Sequence, residues 1–243
     1  MDKKTQNSNR KAEPNSAESM FEYLKEDFWP QHGTKVIMAL VLVAVAIFVA
    51  VQQVGVAAEK KDAMAEELGK GLNYIYIDKT DSALMTFESA IQSGNLKDLF
   101  LAKAALLAGN IYLQNKNLDS AETLYRLAIS NASGIEIISS AAEHGLAVVA
   151  MEREDYPKAI SLLSEFVNKY GKRTGDLAKR YAKSEPADKI PYVPDALWKL
   201  ILCYREAGDK EKAIQTAEKL LKIYGDSPKA EDTSKLLATL AEK

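Results

Sequence analysis

Few side chains of the kinds that perform nucleophilic or metal chemistry are present in this chain. It has two histidines, His32 and His144, and one cysteine, Cys203. Because the histidines lie far apart in the sequence, no catalytic triad or zinc site can be assembled from them. A lone cysteine forms no internal disulfide, and the apolar stretch around Cys203 predicts that it packs as a small buried hydrophobe. We therefore predict a protein that is not an enzyme, with no catalytic residue, metal site or cofactor.

The charged residues are balanced and the sequence has no phosphate-binding loop. Lysine and arginine total 32 against 34 aspartates and glutamates, for a net charge of -2. This balance gives no global basic field that would hold nucleic acid. No glycine-rich loop is present, and the neighbouring Glu66 and Glu67 fall on a helix face expected to be solvated. Neither nucleic acid nor a small-molecule substrate is an expected partner.

One side-chain pattern recurs three times at a constant interval. Its first and third positions are small, and larger aromatic or aliphatic side chains occur between them. The three copies are Gly71, Tyr74, Ala83, Phe87, Ala90; Gly109, Tyr112, Ala121, Tyr125, Ala128; and Ala147, Ala150, Ala159, Leu163, Phe166. Small residues let the two helices of a hairpin approach closely, while the larger ones fill the space before the next hairpin. The chain is therefore predicted to be all-α and built from stacked helical hairpins.

A fourth hairpin and a capping helix complete the predicted array. The pattern restarts at Pro194, after an insertion that follows Tyr170. Its apolar and small positions are then Leu197, Leu200, Tyr204, Ala213, Ala217 and Leu220. A helix with a charged outer face begins near Pro228, as expected for the terminal cap of a repeat array. Asp155 and Asp209 are predicted to cap the amino ends of two of the helices.

The inserted segment between the third and fourth hairpins is rich in basic residues and proline. Its charged residues and prolines are Lys172, Arg173, Asp176, Lys179, Arg180, Lys183, Glu185, Pro186, Pro191 and Pro194. We interpret the segment as a solvated helical extension followed by a proline-stiffened linker. The alternative is a contact with an anionic partner or with lipid headgroups.

A long apolar segment precedes the repeats. Every residue from Val36 to Val51 is apolar, and only two glutamines intervene before Val54. A helix over residues 34–54 would be about 31 Å long, which matches a hydrocarbon core of about 30 Å. The segment from Val36 to Val54 is therefore predicted to span a membrane.

The span is predicted to be a simple anchor. No charged residue lies between Lys35 and Glu59, whereas transport paths need intramembrane charge. The alternative, a cleaved signal peptide, fits less well because its apolar region is usually about 7 to 15 residues long. Lysines flank both ends, so local charge leaves the orientation open. Because long folded domains translocate largely regardless of charge, we expect a cytoplasmic amino terminus and a translocated repeat domain.

These features divide the chain into three predicted regions. Residues 1–33 comprise a polar tail, expected to be disordered, and a juxtamembrane amphipathic segment in which apolar residues recur at helical spacing from Met20 to Phe28. Residues 34–54 form the transmembrane helix. Residues 55–243 form the repeat domain.

The offsets of the small and aromatic residues resemble those of tetratricopeptide repeats. The resemblance covers residues 63–243 and implies a solenoid of about four hairpins plus a carboxy-terminal cap. It departs from the consensus at the first tryptophan, which is replaced by Glu67, Ala105, Glu143 and Leu197. In that family, fixed positions on each first helix line a protein-binding groove. Carried onto this chain they are Leu68, Leu72, Ile75, Lys103, Leu106, Asn110, Leu113, His144, Val148, Met151, Asp195, Trp198, Leu202 and Arg205.

The layout of a short tail, one span and a repeat domain also resembles the YfgM-type family of ancillary Sec translocon subunits. That resemblance implies a non-catalytic adaptor in the bacterial inner membrane, with periplasmic repeats that meet the translocon or a periplasmic chaperone. Two alternatives remain open: an assembly factor of another envelope machine, such as an outer-membrane, pilus or division complex, and a cytosol-facing scaffold of opposite topology.

Overall fold

The structure, a computed structural model, describes residues 20–21 and 24–241. Within these residues the chain is helical with no strands, as predicted. A π-helical turn, Leu24–Phe28, precedes ten α-helices. They are α1 (Trp29–Tyr76), α2 (Thr80–Gln92), α3 (Asp98–Gln114), α4 (Leu118–Asn131), α5 (Glu136–Glu152), α6 (Tyr156–Tyr170), α7 (Leu177–Tyr181), α8 (Val193–Glu206), α9 (Lys210–Tyr224) and α10 (Ala230–Ala241). The chain separates into two compact units, residues 1–61 and 62–243.

The first unit contains the apolar part of α1. Its large apolar side chains are exposed, including Leu42 at 67% and Phe48 at 64%. Among the described residues, one helix, over His32–Tyr76, is long and apolar enough to cross a membrane. The predicted disordered tail, residues 1–19, lies outside the described residues.

The second unit is the predicted array of antiparallel hairpins. The end of α1 and α2 form the first hairpin, and the pairs α3 with α4, α5 with α6, and α8 with α9 form the next three. Each element packs mainly on its neighbours in the sequence, and α10 packs on α9 as a terminal cap. The prediction of about four hairpins and a capping helix is therefore confirmed.

The turns inside the hairpins share one backbone conformation. Asp78, Lys116 and Glu154 occupy the same position in successive repeats and have φ values of 56°, 59° and 59°. In the fourth hairpin this position is Gly208, with φ 77°. Positive φ is unfavourable for residues with a Cβ atom and free of that cost for glycine. The repeat thus imposes the same left-handed backbone conformation on four residues of different types.

Side-chain caps begin the second helices of three hairpins. Asn117, Asp155 and Asp209 each accept a hydrogen bond from the backbone N–H three residues ahead, at 3.2, 3.2 and 3.1 Å. These bonds satisfy amide groups that the first turn of a helix leaves unpaired. The caps predicted at Asp155 and Asp209 are confirmed.

Glycines and alanines of the repeat pattern bring the helices together. A Cβ atom added to Gly71 would collide with the Phe87 ring, and one added to Gly109 would lie 3.0 Å from Tyr125. The alanines and the phenyl and phenol rings of the pattern are fully buried in the second helices. The predicted close approach of small residues is therefore what makes room for the aromatic rings.

Helix α5 separates two parts of the core. Ala142 and Val149 pack with Tyr125 in the core shared with the second hairpin. Ala147 and Ala150 pack instead in the core of the third and fourth hairpins. Because its side chains are small, α5 can be covered on two opposite faces, as a middle element of a stack must be.

The insertion contains less helix than the predicted helical extension and is docked on the end of α9, while most of its side chains are exposed. Only α7, of 5 residues, is α-helical between α6 and α8. The Glu185 carboxylate is 6% exposed and accepts hydrogen bonds from the backbone of Thr174 and Gly175 at 2.9 and 2.7 Å. Arg180 donates to Glu185 at 2.9 Å and to the Ile223 carbonyl at 2.8 Å. These contacts fold the segment on itself and fasten it to the end of α9.

Candidate protein-binding groove

The candidate groove positions recur in register on the first helices of the hairpins. Leu68, Leu106 and His144 occupy one position of successive repeats, and Leu72, Asn110 and Val148 occupy another. Positions spaced by three and four residues fall on one stripe of a helix. We call this set the first-helix stripe. Its members are Leu72, Ile75, Lys103, Leu106, Asn110, Leu113, His144, Val148, Met151, Asp195, Trp198, Leu202 and Arg205.

Leu68 is a correction to the predicted set. It is 6% exposed and packs with Phe87 and other residues in the core of the first hairpin. Residues of α2 and α3, including Ala90 and Ala104, belong to the same core and enclose Leu68. It is a core residue.

The remaining members of the stripe keep access to solvent. Leu72 is 43% exposed, and Asn110 and Arg205 are exposed as well. The others, apart from Ile75 at 38%, are half-buried. Leucine, valine, methionine and tryptophan predominate, so the stripe presents mainly apolar surface.

Two polar members of the stripe meet between the third and fourth hairpins. The Nε2 atom of His144 lies 2.9 Å from Oδ2 of Asp195. The contact lacks the alignment of a hydrogen bond and is a close polar approach. Lys199 lies 3.2 Å from the same carboxylate and Lys229 3.9 Å from it. Asp195 therefore ties α5, α8 and the start of the cap together.

The charge of Asp195 is maintained despite its partial burial. Burial alone would raise its pKa, but the contacts with His144 and Lys199 outweigh burial and hold the pKa at about 2. The imidazole of His144 also stacks on Tyr192, with ring centroids 5.8 Å apart. These two stripe residues are thus held by the protein itself and present a fixed surface.

Asn110 is fixed by a residue of the core. Its side-chain oxygen accepts a hydrogen bond of 2.8 Å from the Tyr125 hydroxyl. Because the amide oxygen is engaged, the exposed amide N–H groups of Asn110 are the ones left to donate to a ligand. Burial of the ring raises the pKa of Tyr125, so its hydroxyl remains a donor at neutral pH.

Two residues that shape the stripe were missed from the sequence. Tyr192 precedes α8 and lies outside the repeat pattern, so the periodicity of the sequence could not predict its stacking on His144. Gly145 also falls outside the five pattern positions, yet a Cβ atom there would lie 2.6 Å from the Tyr125 ring. A glycine in the middle of a predicted helix was the available signal.

A salt-bridge network links α4 to the residue that follows α5. Glu122 of α4 pairs with Arg153 and Arg126, and Arg153 also pairs with Asp119 at 2.5 Å. Hydrogen bonds from Arg153 and Arg126 lower the pKa of Glu122 to about 2. Successive hairpins are thus joined by charges here, and by apolar contacts beneath the stripe.

Nothing in the described part of the chain groups three or more His, Cys, Asp or Glu side chains in a way that would hold a metal ion. Cys203 is fully buried, and burial raises its pKa to about 11. Its thiol is therefore protonated at neutral pH and does not act as a nucleophile. The stripe can bind by shape, apolar contact and a few fixed polar groups.

Comparison with known families decides the class of this array. A model described as a tetratricopeptide repeat-like domain matches residues 26–189, and a tetratricopeptide repeat model matches residues 195–227. The chain belongs to the tetratricopeptide repeat-like family. No curated protein matches it significantly.

A solved structure with a TM-score above 0.5 shares the fold of this tetratricopeptide repeat-like chain. The tetratricopeptide-like repeats of a kinesin light chain from Podosopora anserina give a TM-score of 0.54 at 14% identity, over 74% of this chain and 86% of that one. The Rap conjugation gene regulator of plasmid pLS20, in complex with the Phr* peptide, gives 0.49 at 15% identity, over 73% of this chain and 47% of the other. A protein from Thermus thermophilus gives 0.33 at 17% identity, over 74% of this chain and 100% of the other.

Membership has a general functional consequence. Tetratricopeptide repeats typically form non-catalytic scaffolds that mediate protein–protein interaction. The chain therefore belongs to a family whose repeats generally mediate protein–protein interaction.

Proposed function

We propose that this chain is a membrane-anchored, non-catalytic adaptor that binds a polypeptide along the first-helix stripe. The observation that supports the proposal is the repeated row of accessible apolar side chains on successive first helices, above all Leu72, Leu106, Val148, Trp198 and Leu202. Apolar and aromatic anchors supply most of the binding energy at protein interfaces. Fixed polar groups such as Asn110 would set the orientation of the bound segment.

The anchor in this proposal is the apolar segment from Val36 to Val54. The large apolar side chains of residues 38–54 are exposed, with Leu40 at 62% and Val51 at 63%. Contiguous exposure of this kind is stable only when lipid or protein covers it. A membrane span satisfies that requirement with the backbone already paired inside the helix.

We further propose that the adaptor serves protein export at the bacterial inner membrane. In this arrangement the amino terminus is cytoplasmic, and the periplasmic repeats contact the translocon or a periplasmic chaperone. Support comes from the layout of tail, span and repeats that resembles the YfgM-type family. An assembly role in an outer-membrane, pilus or division complex would use the same stripe with a different partner.

Photo-crosslinking tests whether the stripe contacts protein. A photoreactive amino acid at Leu106 or Trp198, in the full chain expressed in bacteria, should crosslink to a polypeptide that mass spectrometry can identify. Ser89 and Ser161, exposed residues of second helices with no side-chain hydrogen bond, are the matched control positions. Crosslinks to lipid alone, or equal protein crosslinking at the controls, would show that the stripe is not the binding surface.

The identity of the captured protein separates the two proposed roles. Capture of translocon subunits or a periplasmic chaperone supports the export role, whereas capture of components of another envelope machine supports the assembly role. Replacement of Leu202, which is half-buried and lies outside the core clusters, by glutamate should reduce capture about tenfold, as expected for a central apolar contact.

Topology is tested separately by fusing compartment-specific reporters after residue 243. Alkaline phosphatase activity in intact cells, with no fluorescence from a reporter that matures only in the cytoplasm, is expected for a periplasmic repeat domain. The opposite pattern would identify a cytosol-facing scaffold. Deletion of residues 34–54 should release the protein from membranes and preserve partner binding in extracts.

A further inference from the structure

The acidic and basic side chains of the insertion between α6 and α8 differ in their hydrogen bonding. Glu185 accepts hydrogen bonds from Arg180 and from the backbone of the segment. Asp188 accepts from the backbone N–H of Arg173 at 3.0 Å and from the Tyr224 hydroxyl at 2.6 Å. Asp176 caps α7 by accepting from the Lys179 N–H at 3.2 Å. The carboxylates therefore hold the segment together.

The arginines of the insertion are engaged as well. Arg180 is held by Glu185 and by the Ile223 carbonyl. Arg173 lies 3.3 Å from the Asp226 carboxylate and 5.0 Å from the centre of the Tyr224 ring. The guanidinium groups thus fasten the insertion to α9 and are not the source of its outward charge.

Lys179 pairs with Asp176 at 3.8 Å, but the other three lysines of the insertion differ from its arginines. Lys172, Lys183 and Lys189 are exposed, and within the described residues none of the three side chains lies in an ion pair or a hydrogen bond. Tyr181, beside Lys183, is 85% exposed. The net result is a surface with unpaired ammonium groups and a projecting phenol.

These four side chains emerge from one small module. Asp188, which precedes Lys189, accepts from the backbone N–H of Lys172 at 2.5 Å. Glu185, two residues after Lys183, accepts from Thr174. The two bonds bring the beginning and the end of the insertion together. We call these four exposed side chains together the lysine–tyrosine surface: Lys172, Tyr181, Lys183 and Lys189.

We propose that the lysine–tyrosine surface docks on the anionic phospholipid headgroups of a membrane. Its chemistry fits such a surface better than an acidic protein because tyrosine and lysine are both suited to the lipid interface. The phenol ring sits at headgroup level, and lysine extends its ammonium group to phosphate while its stem lies along apolar matter. The proposal rests on the anchoring proposed above, which would hold the repeat unit near lipid.

The test uses the full chain in phospholipid nanodiscs, with an environment-sensitive fluorophore on Ala182→Cys. Ala182 is exposed and adjacent to both Tyr181 and Lys183, and the one native cysteine, Cys203, is fully buried and escapes labelling. Discs of phosphatidylcholine alone are compared with discs that also contain phosphatidylglycerol. The same fluorophore on Ser161→Cys, an exposed position of α6, is the control site.

In the anionic discs only, we expect the emission of the fluorophore at position 182 to shift to the blue and to be quenched by quencher-bearing lipids. Both effects should disappear at high salt. Replacing Lys172, Lys183 and Lys189 together by glutamine should lower the ratio of docked to undocked repeat domain. The expected decrease is about fivefold per lysine, or about a hundredfold in all. Replacing Lys210, Lys219 and Lys222 by glutamine removes the same charge from exposed positions of α9 and should leave docking intact.

Three results would overturn the proposal. Position 182 could respond equally in both kinds of disc, the two lysine triples could act equally, or the fluorophore could respond to polyglutamate and not to phosphatidylglycerol. The last result would assign the surface to an acidic protein. Anchoring is judged independently by co-elution with phosphatidylcholine discs, so loss of co-elution would contradict the anchor and loss of the lipid-dependent shift would contradict docking.

Discussion

At the scale of single residues, glycines decide how closely the helices pack. Gly145 and Gly69 both lie inside helices, but their surroundings differ. A Cβ atom at Gly145 would meet the buried Tyr125 ring at 2.6 Å, whereas at Gly69 nothing lies within 4 Å. The Tyr125 ring is fully buried and hydrogen-bonded to Asn110, so it has little freedom to move.

Alanine at these two positions should change the free energy of unfolding in opposite directions. Gly145→Ala gains about 1 kcal/mol of helix propensity but overpacks the core, at a cost of about 1 to 3 kcal/mol, so a net loss is expected. Gly69→Ala gains the propensity alone and should stabilise the protein by up to about 1 kcal/mol. Urea unfolding followed by circular dichroism measures both. Stabilisation by Gly145→Ala would contradict the packing described here.

The residue scale also shows what the sequence could reveal. Gly109, Tyr125 and Ala128 were found because they recur with a period, and periodicity reports packing against equivalent neighbours. Leu68 was misassigned because it shares its repeat position with Leu106 and His144, whereas its burial comes from the side chains of α2 and α3 around it, which a per-repeat pattern does not show. Tyr192 was missed because its contact with His144 crosses between an insertion and a repeat.

At the scale of elements, the hairpin turns hold a conformation that only glycine adopts without cost. Gly208→Ala is expected to destabilise the protein by about 1 to 2 kcal/mol because alanine is unfavourable at φ 77°. Glu154→Gly, at the equivalent turn with φ 59°, should be neutral or stabilising by up to about 1 kcal/mol, since relief of strain offsets the added freedom of the unfolded chain. Thermal unfolding of the pair gives the test. Equal effects of the same sign would mean that the turns do not share this strain.

Glu185 is one of the carboxylates that hold the insertion together, and its ionisation makes the stability of this element depend on pH. Hydrogen bonds from Arg180, Gly175 and Thr174 lower the pKa of Glu185 from 4.5 to about 2. Since the folded pKa lies below the unfolded one, the stabilisation is complete above about pH 4.5 and is lost as the pH falls towards 2.

Glu185→Gln should therefore lower stability at pH 7, and its difference from the unaltered protein should shrink between pH 4.5 and 2. Urea unfolding at several pH values measures this difference. Glu165→Gln, at an exposed glutamate of α6 outside any described ion pair, is the control and should show no such trend. A pH-independent difference for Glu185→Gln would mean that its ionisation is not coupled to folding.

The fold of the insertion could not be predicted from the sequence, unlike the caps and the hairpins. The caps at Asp155 and Asp209 and the four hairpins followed from local rules and periodic spacing. The docked insertion did not, because its folding depends on contacts with Ile223 and Tyr224, at the far end of the next hairpin. Composition showed that it was basic, but not that its acidic residues would turn inward.

At the scale of the whole array, the core is divided at α5. Leu163 is fully buried in the part that spans the third and fourth hairpins and the cap, and Phe87 is buried in the part of the first and second. Arrays of repeats are stabilised by nearest-neighbour contacts, so each part can open without the other.

Leu163→Ala should cost about 2 to 5 kcal/mol and act mainly on its own part of the array. Hydrogen exchange followed by mass spectrometry should show faster exchange in α6, α8 and α9, with little change in α2 to α4. Phe87→Ala should give the reverse distribution. Uniform acceleration along the array in both variants would indicate one fully cooperative unit.

The placement of tryptophan gives the molecule a built-in optical signal. There are two tryptophans, and Trp198 lies half-buried on the first-helix stripe while Trp29 lies in the other compact unit. A segment that covers the stripe would exclude water from the indole of Trp198 and shift its emission. In a Trp29→Phe background, intrinsic fluorescence would then report occupancy of the unlabelled protein and allow candidate segments to be titrated directly.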